Sequence, residues 1–386
     1  MDQRVSGLYK ETFSTPAERR AKETEIELRV DVDGERPMKA ISGDMYSNSR
    51  RIHEYLYSFR FEEVKKTKTA ANEIIVTGEG GKFDPALARF EDIEVTIHLD
   101  SRPLEATVKL TNIPASVSRC RCKFVSKYFR SVELEHDYEE GVAPIEPYET
   151  SELRSPATSR SHPLTISDAF NEAGIELLVV KEKKDSVPHP KSTRGDSVWA
   201  DIELREAMAK HFTMLKEEPQ WKVWLLSANE HVMSNTYGVA IDREGRKRRG
   251  CAVFQDATGC SNAEEKRLRL FICVHELGHC FNLHHPWDKP QPDSLEETEG
   301  RATLSWMNLP WLYYLSEESR GEEAFWKAFN FQFSDAELMH LRHGFRNDVI
   351  FGGNTFGGEM DSISTNKGVD KERQESSCLL KVKHLS

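Results

Sequence analysis

The chain has 386 residues, a formal net charge of −11 at pH 7 and an isoelectric point of about 5.8. This length suffices for two domains with separate cores, and the acidic balance argues against general nucleic-acid binding. No apolar run approaches the ~20 residues of a membrane span, and the N-terminus lacks the apolar core of a secretory signal, so a cytoplasmic location or export by a leaderless route is expected.

The first part of the chain has the pattern of a β-rich domain. Residues 1–22 are polar and charged and are predicted to form a flexible arm. From residue 23 to about 140, apolar and polar residues alternate in several runs, the first of which begins with Ile26, Leu28 and Val30. Period-two alternation is typical of half-buried strands. We therefore expect residues 23–140 to form an antiparallel β-sandwich or barrel, an accessory domain in a mixed α+β chain.

A proline-rich stretch separates this region from the second half. Residues 141–165 carry prolines among Glu, Ser and Thr, a composition typical of an interdomain linker. Residues 166–360 then combine short apolar runs, at 175–180, 221–226, 237–241 and 250–256, with segments of helical period. A second α+β domain is predicted here, closed by a helix within 333–343 and followed by a polar tail at 361–386.

The stretch FICVHELGHCFNLHH, at residues 271–285, contains the pattern H-E-x-x-H. On a helix, His275 and His279 share a face, so both imidazoles can bind one metal ion while Glu276 reaches the fourth coordination position. A capping box of Ser261 and Glu264 is predicted to start this helix. An apolar stripe at spacings of four, three and four supports it further. The stripe consists of Leu270, Val274, Leu277 and Phe281.

The spacing continues to a third histidine. His285 lies six residues beyond His279, which gives H-E-x-x-H-x-x-N-x-x-H and predicts a third ligand. This run resembles the metzincin zinc signature, with Asn282 at the position where that family has Gly. Asn is the residue next most tolerant of left-handed backbone angles, so a sharp turn after the helix remains compatible with the sequence.

The likeness extends over roughly residues 170–350. The order of strand, helix, strands and histidine-bearing helix resembles the adamalysin/reprolysin and matrixin branch of the metzincins. The resemblance implies a twisted mixed sheet and a Zn²⁺-dependent endopeptidase that acts on a protein or peptide substrate, with Glu276 as general base. It also implies a Met-turn at Met307 beneath the metal. The residues it places along the substrate belong to an edge strand and to the S1′ wall: Tyr237, Gly238, Val239, Ala240, Leu309, Pro310 and Trp311.

Two other functions remain open at the level of sequence. In a gluzincin, Glu296 or Glu297 would be the third ligand in place of His285. A zinc domain without turnover could instead serve as a binding module, although such a site has no need of a general base at Glu276.

The seven cysteines are an odd number spread along the chain, which is typical of free thiols in a reducing compartment. Cys120 and Cys122 could be half of a metal site or could supply a thiol that plugs the zinc. A buried strand thiol is the commoner role of such residues.

Overall fold

The structure, a computed structural model, describes residues 4–49, 52–69, 72–87, 89–113, 116–153, 163–180, 186–189, 198–241, 247–288, 300–356 and 379–381. Its described part is mixed α+β, as predicted, and contains no helix long and apolar enough to span a membrane. Two compact units divide the chain. The first unit comprises Met1–Arg130 and Asp335–Arg346, and the second comprises Ser131–Ser334 and Asn347–Ser386.

The strands and helices alternate unevenly along the chain, with strands dominating the first third. The strands are β1 (Gly7–Glu11), β2 (Thr24–Asp31), β3 (Ala40–Ser49), β4 (Ile52–Phe61), β5 (Lys65–Lys68), β6 (Glu73–Glu79), β7 (Lys82–Asp84), β8 (Phe90–His98), β9 (Glu105–Asn112), β10 (Ser116–Ser126), β11 (Arg130–Glu139), β12 (Ile175–Val179), β13 (Ser186–Val187), β14 (Lys222–Ala228), β15 (Thr236–Ala240), β16 (Gly250–Phe254), β17 (Tyr314–Ser316), β18 (Ser319–Arg320) and β19 (Leu379–Lys381). The helices are α1 (Pro16–Ala21), α2 (Ile166–Glu172), α3 (Asp201–His211), α4 (Gln255–Thr258), α5 (Ala263–Cys280), α6 (Gly321–Ala328), α7 (Asp335–His343) and α8 (Arg346–Val349).

The first unit is built on one ten-stranded antiparallel sheet in the order β5-β6-β8-β9-β10-β1-β2-β3-β4-β7. The antiparallel arrangement is confirmed, but the strands form a single curled sheet, a half-barrel, and not a two-sheet sandwich. Phe61 on β4 packs directly on Gly78 of β6, where a Cβ would lie 2.8 Å from the Cβ of Phe61. Because these strands lie near opposite ends of the order, this contact curls the sheet around one core. Phe61 also stacks on Phe90 of β8, with ring centroids 5.7 Å apart.

The predicted flexible arm at residues 1–22 instead contains strand β1 of this sheet and the short helix α1. β1 pairs with β2 on one side and β10 on the other, in the middle of the strand order. Tyr9 is fully buried, and its hydroxyl donates to the Val5 carbonyl at 2.7 Å. β1 has too few apolar residues to show period-two alternation, so the sequence pattern did not predict that this segment is a strand.

The boundary between the units also differs from the predicted division at residue 140. β11 pairs in parallel with β14 of the second sheet, although its alternation had assigned it to the β-rich half. Conversely, α7, expected at the end of the second domain, belongs to the first unit. Arg342 donates to Asp31 at 3.0 Å and His343 Nδ1 contacts Ser42 Oγ at 2.9 Å. These buried polar contacts join α7 to β2 and β3.

The second unit is built on a mixed sheet in the order β12-β11-β14-β16-β15-β19, with β13 beside β11. β11, β14 and β16 are parallel, whereas β15 is antiparallel to β16. α5 packs against β15 and β16. The histidine-bearing helix thus lies beneath β15, which was predicted to be the substrate-lining edge strand but has β19 paired beyond it.

The predicted linker at 141–165 contributes structure to the second unit. Tyr148 and Leu164 exchange backbone hydrogen bonds of 2.8 Å, and Thr165 caps α2. Residues 154–162 of this stretch lie outside the described residues. The same holds for 357–378 and 382–386, which include most of the predicted polar tail.

The first unit should lose stability in mild acid because His343 is buried. Burial lowers the pKa of His343 from 6.5 to about 4, against the hydrogen bond and charge of Asp31, which act to raise it. The unfolded chain therefore takes up a proton between about pH 6.5 and 4 that the folded chain does not, so stability falls as the pH falls through this window. The loss is on the order of 3 kcal/mol.

Hydrogen exchange of core amides in β2 and β3, followed from pH 7 to 4, measures this free energy of unfolding. In His343→Gln, the free energy of unfolding should depend less on pH than in the wild type. His98→Gln, at a half-exposed position on β8, serves as the matched control and should leave it as in the wild type. Equal slopes in the wild type and His343→Gln would contradict the assignment.

Candidate metal centre

Helix α5 begins one residue later than predicted. Asn262 is the N-cap, and its side-chain oxygen accepts from the Glu265 amide at 2.9 Å. The Glu265 carboxylate in turn accepts from the Ser261 amide at 2.7 Å. Asn is as good an N-cap as Ser, and Glu265 stands at N3 from it, so the reciprocal capping forms in this register. The predicted apolar stripe is confirmed, since all four of its residues are buried.

The end of α5 is fixed by a left-handed residue. Asn282 has φ of +66°. The Asn282 amide donates to the His279 carbonyl at 2.9 Å, and the Leu283 amide donates to the Gly278 carbonyl at 3.0 Å. These two bonds are those of a Schellman motif with Asn at the left-handed position. The positive φ expected of Asn282 is therefore confirmed, and the chain turns back toward the helix immediately after it.

The turn brings the three predicted ligands together. His275 Nε2 lies 3.1 Å from His279 Nε2 and 3.3 Å from His285 Nε2. All three ligand atoms lie within 4.8 Å of one another, and all three side chains are buried. Among the described residues this is the group of His, Cys, Asp or Glu side chains arranged to hold a metal ion.

The other nitrogen of each ring has a partner that fixes the tautomer. His275 Nδ1 donates to the Trp306 carbonyl at 2.8 Å, and His279 Nδ1 donates to the Leu283 carbonyl at 2.7 Å. His285 Nδ1 donates to the Asp288 carboxylate at 2.7 Å. Because a carbonyl oxygen only accepts, Nδ1 carries the proton in the first two rings and Nε2 is left with a bare lone pair.

Burial keeps the rings of His275 and His279 neutral. It lowers the pKa of His275 to about 3, with a further contribution from His285. It also lowers the pKa of His279 well below the ordinary value, with contributions from both other histidines. At neutral pH the site thus presents imidazole lone pairs aimed at one another, an arrangement that is repulsive without a cation between them.

The spacing of the nitrogens fits a metal ion. With metal–nitrogen bonds of about 2.0–2.1 Å at tetrahedral angles, ligand nitrogens lie about 3.3–3.4 Å apart, close to the 3.1 and 3.3 Å observed here. Imidazole suits Zn²⁺ and also Cu, Fe and Ni. The described residues supply three ligands, and a set of three protein ligands that leaves a fourth position open is typical of catalytic and not of structural zinc sites.

The Glu276 carboxylate lies in the same unit, between the metal helix and strand β15. Glu276 is fully buried. A Cβ at position 238 would lie 2.6 Å from Glu276 Cγ and 2.8 Å from its Oε1. Only glycine at position 238 therefore lets β15 pass this close while the carboxylate keeps its position.

Met307 lies under the histidines, at the position predicted for a Met-turn. Trp306 and Met307 are the central residues of a turn closed by the Asn308 amide, which donates to the Ser305 carbonyl at 3.2 Å. The Met307 sulfur fills the space that a side chain at Gly278 would need, on the helix turn between His275 and His279. The same turn supplies the Trp306 carbonyl that orients His275.

The remaining predicted substrate-lining residues divide into two groups. Tyr237 and Trp311 face each other with ring centroids 5.3 Å apart, which links β15 to the segment after the Met307 turn. Pro310 opens a short 3₁₀ helix, Pro310–Leu312. Val239 and Leu309 are buried, so their side chains pack in the core. The backbone of Gly238, Val239 and Ala240 pairs with β16, and that of Val239 pairs with β19 on the other side as well.

The alternative ligands are located differently. Glu296 and Glu297 lie outside the described residues. Cys122 is fully buried in the core of the first unit, with Cys120 packed against that core. The hydrogen bond to Cys120 and burial raise the pKa of the Cys122 thiol. A buried, protonated strand thiol fits a packing role and not that of a metal-capping thiolate.

Some contributors to the site were missed at the level of sequence. The Trp306 and Leu283 carbonyls act through the backbone, which leaves no side-chain signal. Asp288 had one, because it stands three residues after His285 in the run HHPWD. Trp287 of the same run stacks on His285, with centroids 4.8 Å apart.

No protein-family model matches the sequence, and a search of curated proteins finds no significant match.

Substitutions at Asn282 should follow the cost of a left-handed backbone. Asn282→Gly should bind metal nearly as well as the wild type, whereas Asn282→Ala should lose about 1 kcal/mol and Asn282→Val more, because a Cβ is penalised at positive φ. Metal loss during dialysis against a weak chelator ranks the variants. If Gly behaves as badly as Ala, the side chain of Asn282 and not its backbone holds the turn.

Asp288 should strengthen metal binding through His285. Asp288→Ala removes the acceptor of Nδ1 and lets the ring take the other tautomer, so Zn²⁺ affinity should fall about 10- to 100-fold. Asp288→Asn keeps an acceptor oxygen and should lose less. Competition with a chromophoric chelator at pH 7 measures both dissociation constants, and a wild-type affinity in Asp288→Ala would remove this role.

Proposed function

We propose that the second unit is a zinc-dependent endopeptidase of the metzincin kind. The observation that carries the proposal is the convergence of three Nε2 atoms, on His275, His279 and His285, beside the buried carboxylate of Glu276. The described turn at Asn282 supports the three-histidine set over a glutamate third ligand, because it returns His285 to the other two rings.

The donor set is consistent with Zn²⁺. A bound Zn²⁺ would lower the pKa of a water molecule in the fourth position to about 7 and would polarise a substrate carbonyl. The chain itself supplies the orientation of the ligands, through Trp306, Leu283 and Asp288. An acceptor on the second nitrogen of a ligand imidazole raises its basicity and fixes the orientation of its ring.

Glu276 is proposed as the general base and acid. It accepts a proton from the attacking water and passes it to the leaving amine of the peptide bond. Its place is defined by the helix turn between His275 and His279 and by Gly238 on β15. The burial of the carboxylate favours proton exchange with a group bound in the cleft over exchange with bulk solvent.

The substrate class follows from strand β15. This strand lies over α5 next to the end of its sheet, with only the three-residue β19 beyond it. It runs antiparallel to β16 and brings its backbone at Gly238 against Glu276. A strand at such a position can hold an extended peptide by backbone hydrogen bonds. A protein or peptide in extended conformation is therefore the proposed substrate.

The test separates metal binding from turnover. The purified chain should carry about one zinc by elemental analysis and should cleave members of a fluorescence-quenched peptide library. Glu276→Gln keeps the size of the side chain but cannot take the proton, so zinc should stay and turnover should fall at least ~10²-fold. His285→Ala should lose both.

His284→Ala is the matched control for the third ligand. His284 stands next to His285 but contacts the Phe356 ring and is not one of the converging histidines. This variant should keep zinc. Wild-type turnover in Glu276→Gln would refute the mechanism, and a zinc-loaded wild type that cleaves no peptide would indicate a binding module.

A further inference from the structure

Strand β15 carries a second neighbour from the far end of the chain. β19, at Leu379–Lys381, pairs antiparallel with β15, with Thr236 opposite Lys381 and Val239 opposite Leu379. The last described residue before it is Phe356. It is the outermost strand of the second sheet.

The paired stretch lies next to the proposed acid–base group. Gly238 stands between the two paired positions, Thr236 and Val239. The backbone of Gly238 lies against the Glu276 side chain, with no room for a Cβ. The chain's own segment therefore runs along the part of β15 that is closest to Glu276.

At Val239, strand β15 is paired on both of its edges. One edge is bonded to β16 through Gly238, Val239 and Ala240. The other edge is bonded to β19. A strand has only two edges, so an extended peptide can pair with β15 only after β19 has left.

We propose that Leu379–Lys381 occupies the place of the substrate strand and acts as an intramolecular competitor for it. This inference rests on the proposed function, and it adds a regulatory element that lies outside the metal centre. An extended peptide antiparallel to β15 is the partner this edge accepts. Removal or displacement of the segment switches the site from the occupied to the accessible state.

The size of the effect follows from the fraction of molecules whose edge is free. An apparent dissociation constant is the intrinsic constant divided by the binding-competent fraction. If β19 is paired in about nine-tenths of molecules, the KM for a peptide is raised about tenfold. The value of kcat is unaffected, because a molecule that has bound substrate no longer has the segment in place.

The direct test is hydrogen exchange, which needs no catalysis. Leu379 and Leu380 are both replaced by Pro, which lacks the N–H that strand pairing uses. The control carries the same two prolines at Glu372 and Arg373, upstream of the paired segment. In the full-length chain and the control, the β15 amides that face away from β16 should be protected, and in the Leu379/Leu380 variant they should exchange at least about tenfold faster. Equal exchange in all three proteins would overturn the proposal.

The kinetic test uses the fluorescence-quenched peptides cleaved by the wild type. The Leu379/Leu380 variant should show a KM several-fold lower, with kcat unchanged, and the control should match the wild type. A synthetic peptide with the sequence of residues 376–384 should inhibit the variant competitively and restore protection of its β15 amides. An unchanged KM would show that the segment does not compete with substrate.

These experiments distinguish a failure of the peptidase proposal from a failure of the competitor proposal. If no protein in the series cleaves any peptide but the exchange difference is found, β19 pairs with β15 and the peptidase proposal is wrong. If cleavage depends on Glu276 but exchange and KM do not respond to the prolines, the peptidase stands and the competitor is rejected.

Discussion

The converging lone pairs of His275, His279 and His285 are the constraint on which the second unit depends. Nitrogen atoms 3.1–3.3 Å apart, each without a proton, repel one another unless a cation lies between them. The protein holds them there by giving every Nδ1 an acceptor, and those acceptors come from three separate turns. The three rings therefore converge only once the fold around them is complete, so a metal ion bound between them would stabilise the folded chain.

Two glycines allow neighbouring segments to pack closely around the site. Gly278 lets the Met307 sulfur press against the helix turn between the first two ligands, and Gly238 lets β15 approach Glu276. In both places the absence of a Cβ allows another segment to contact helix α5 or a side chain on it directly. Close packing of this kind limits the motion of the ligands and of the carboxylate, which is how a scaffold holds reactive groups in position.

The parts of this structure that could be predicted from sequence are local. Helix α5, the facing histidines and the left-handed turn at Asn282 all follow from spacing and backbone preference within about twenty residues. The positions of β1, α7 and β19 do not. Their places depend on partners far away in the chain, such as Asp31 for Arg342, and a buried ion pair has no periodic signature. The curl of the first sheet is equally non-local, because it depends on the contact between Phe61 and Gly78.

The membership of α7 in the first unit has a consequence for how the chain is made. The strands of that unit are complete once residue 130 has been synthesised, yet its last helix begins at residue 335. At ordinary elongation rates the ribosome needs roughly 10–40 s to cover the interval. During that time Asp31 lacks Arg342 and His343, and the sheet face that α7 covers stays open. The first unit therefore stays open while Ser131–Ser334, most of the second unit including helix α5, is being made.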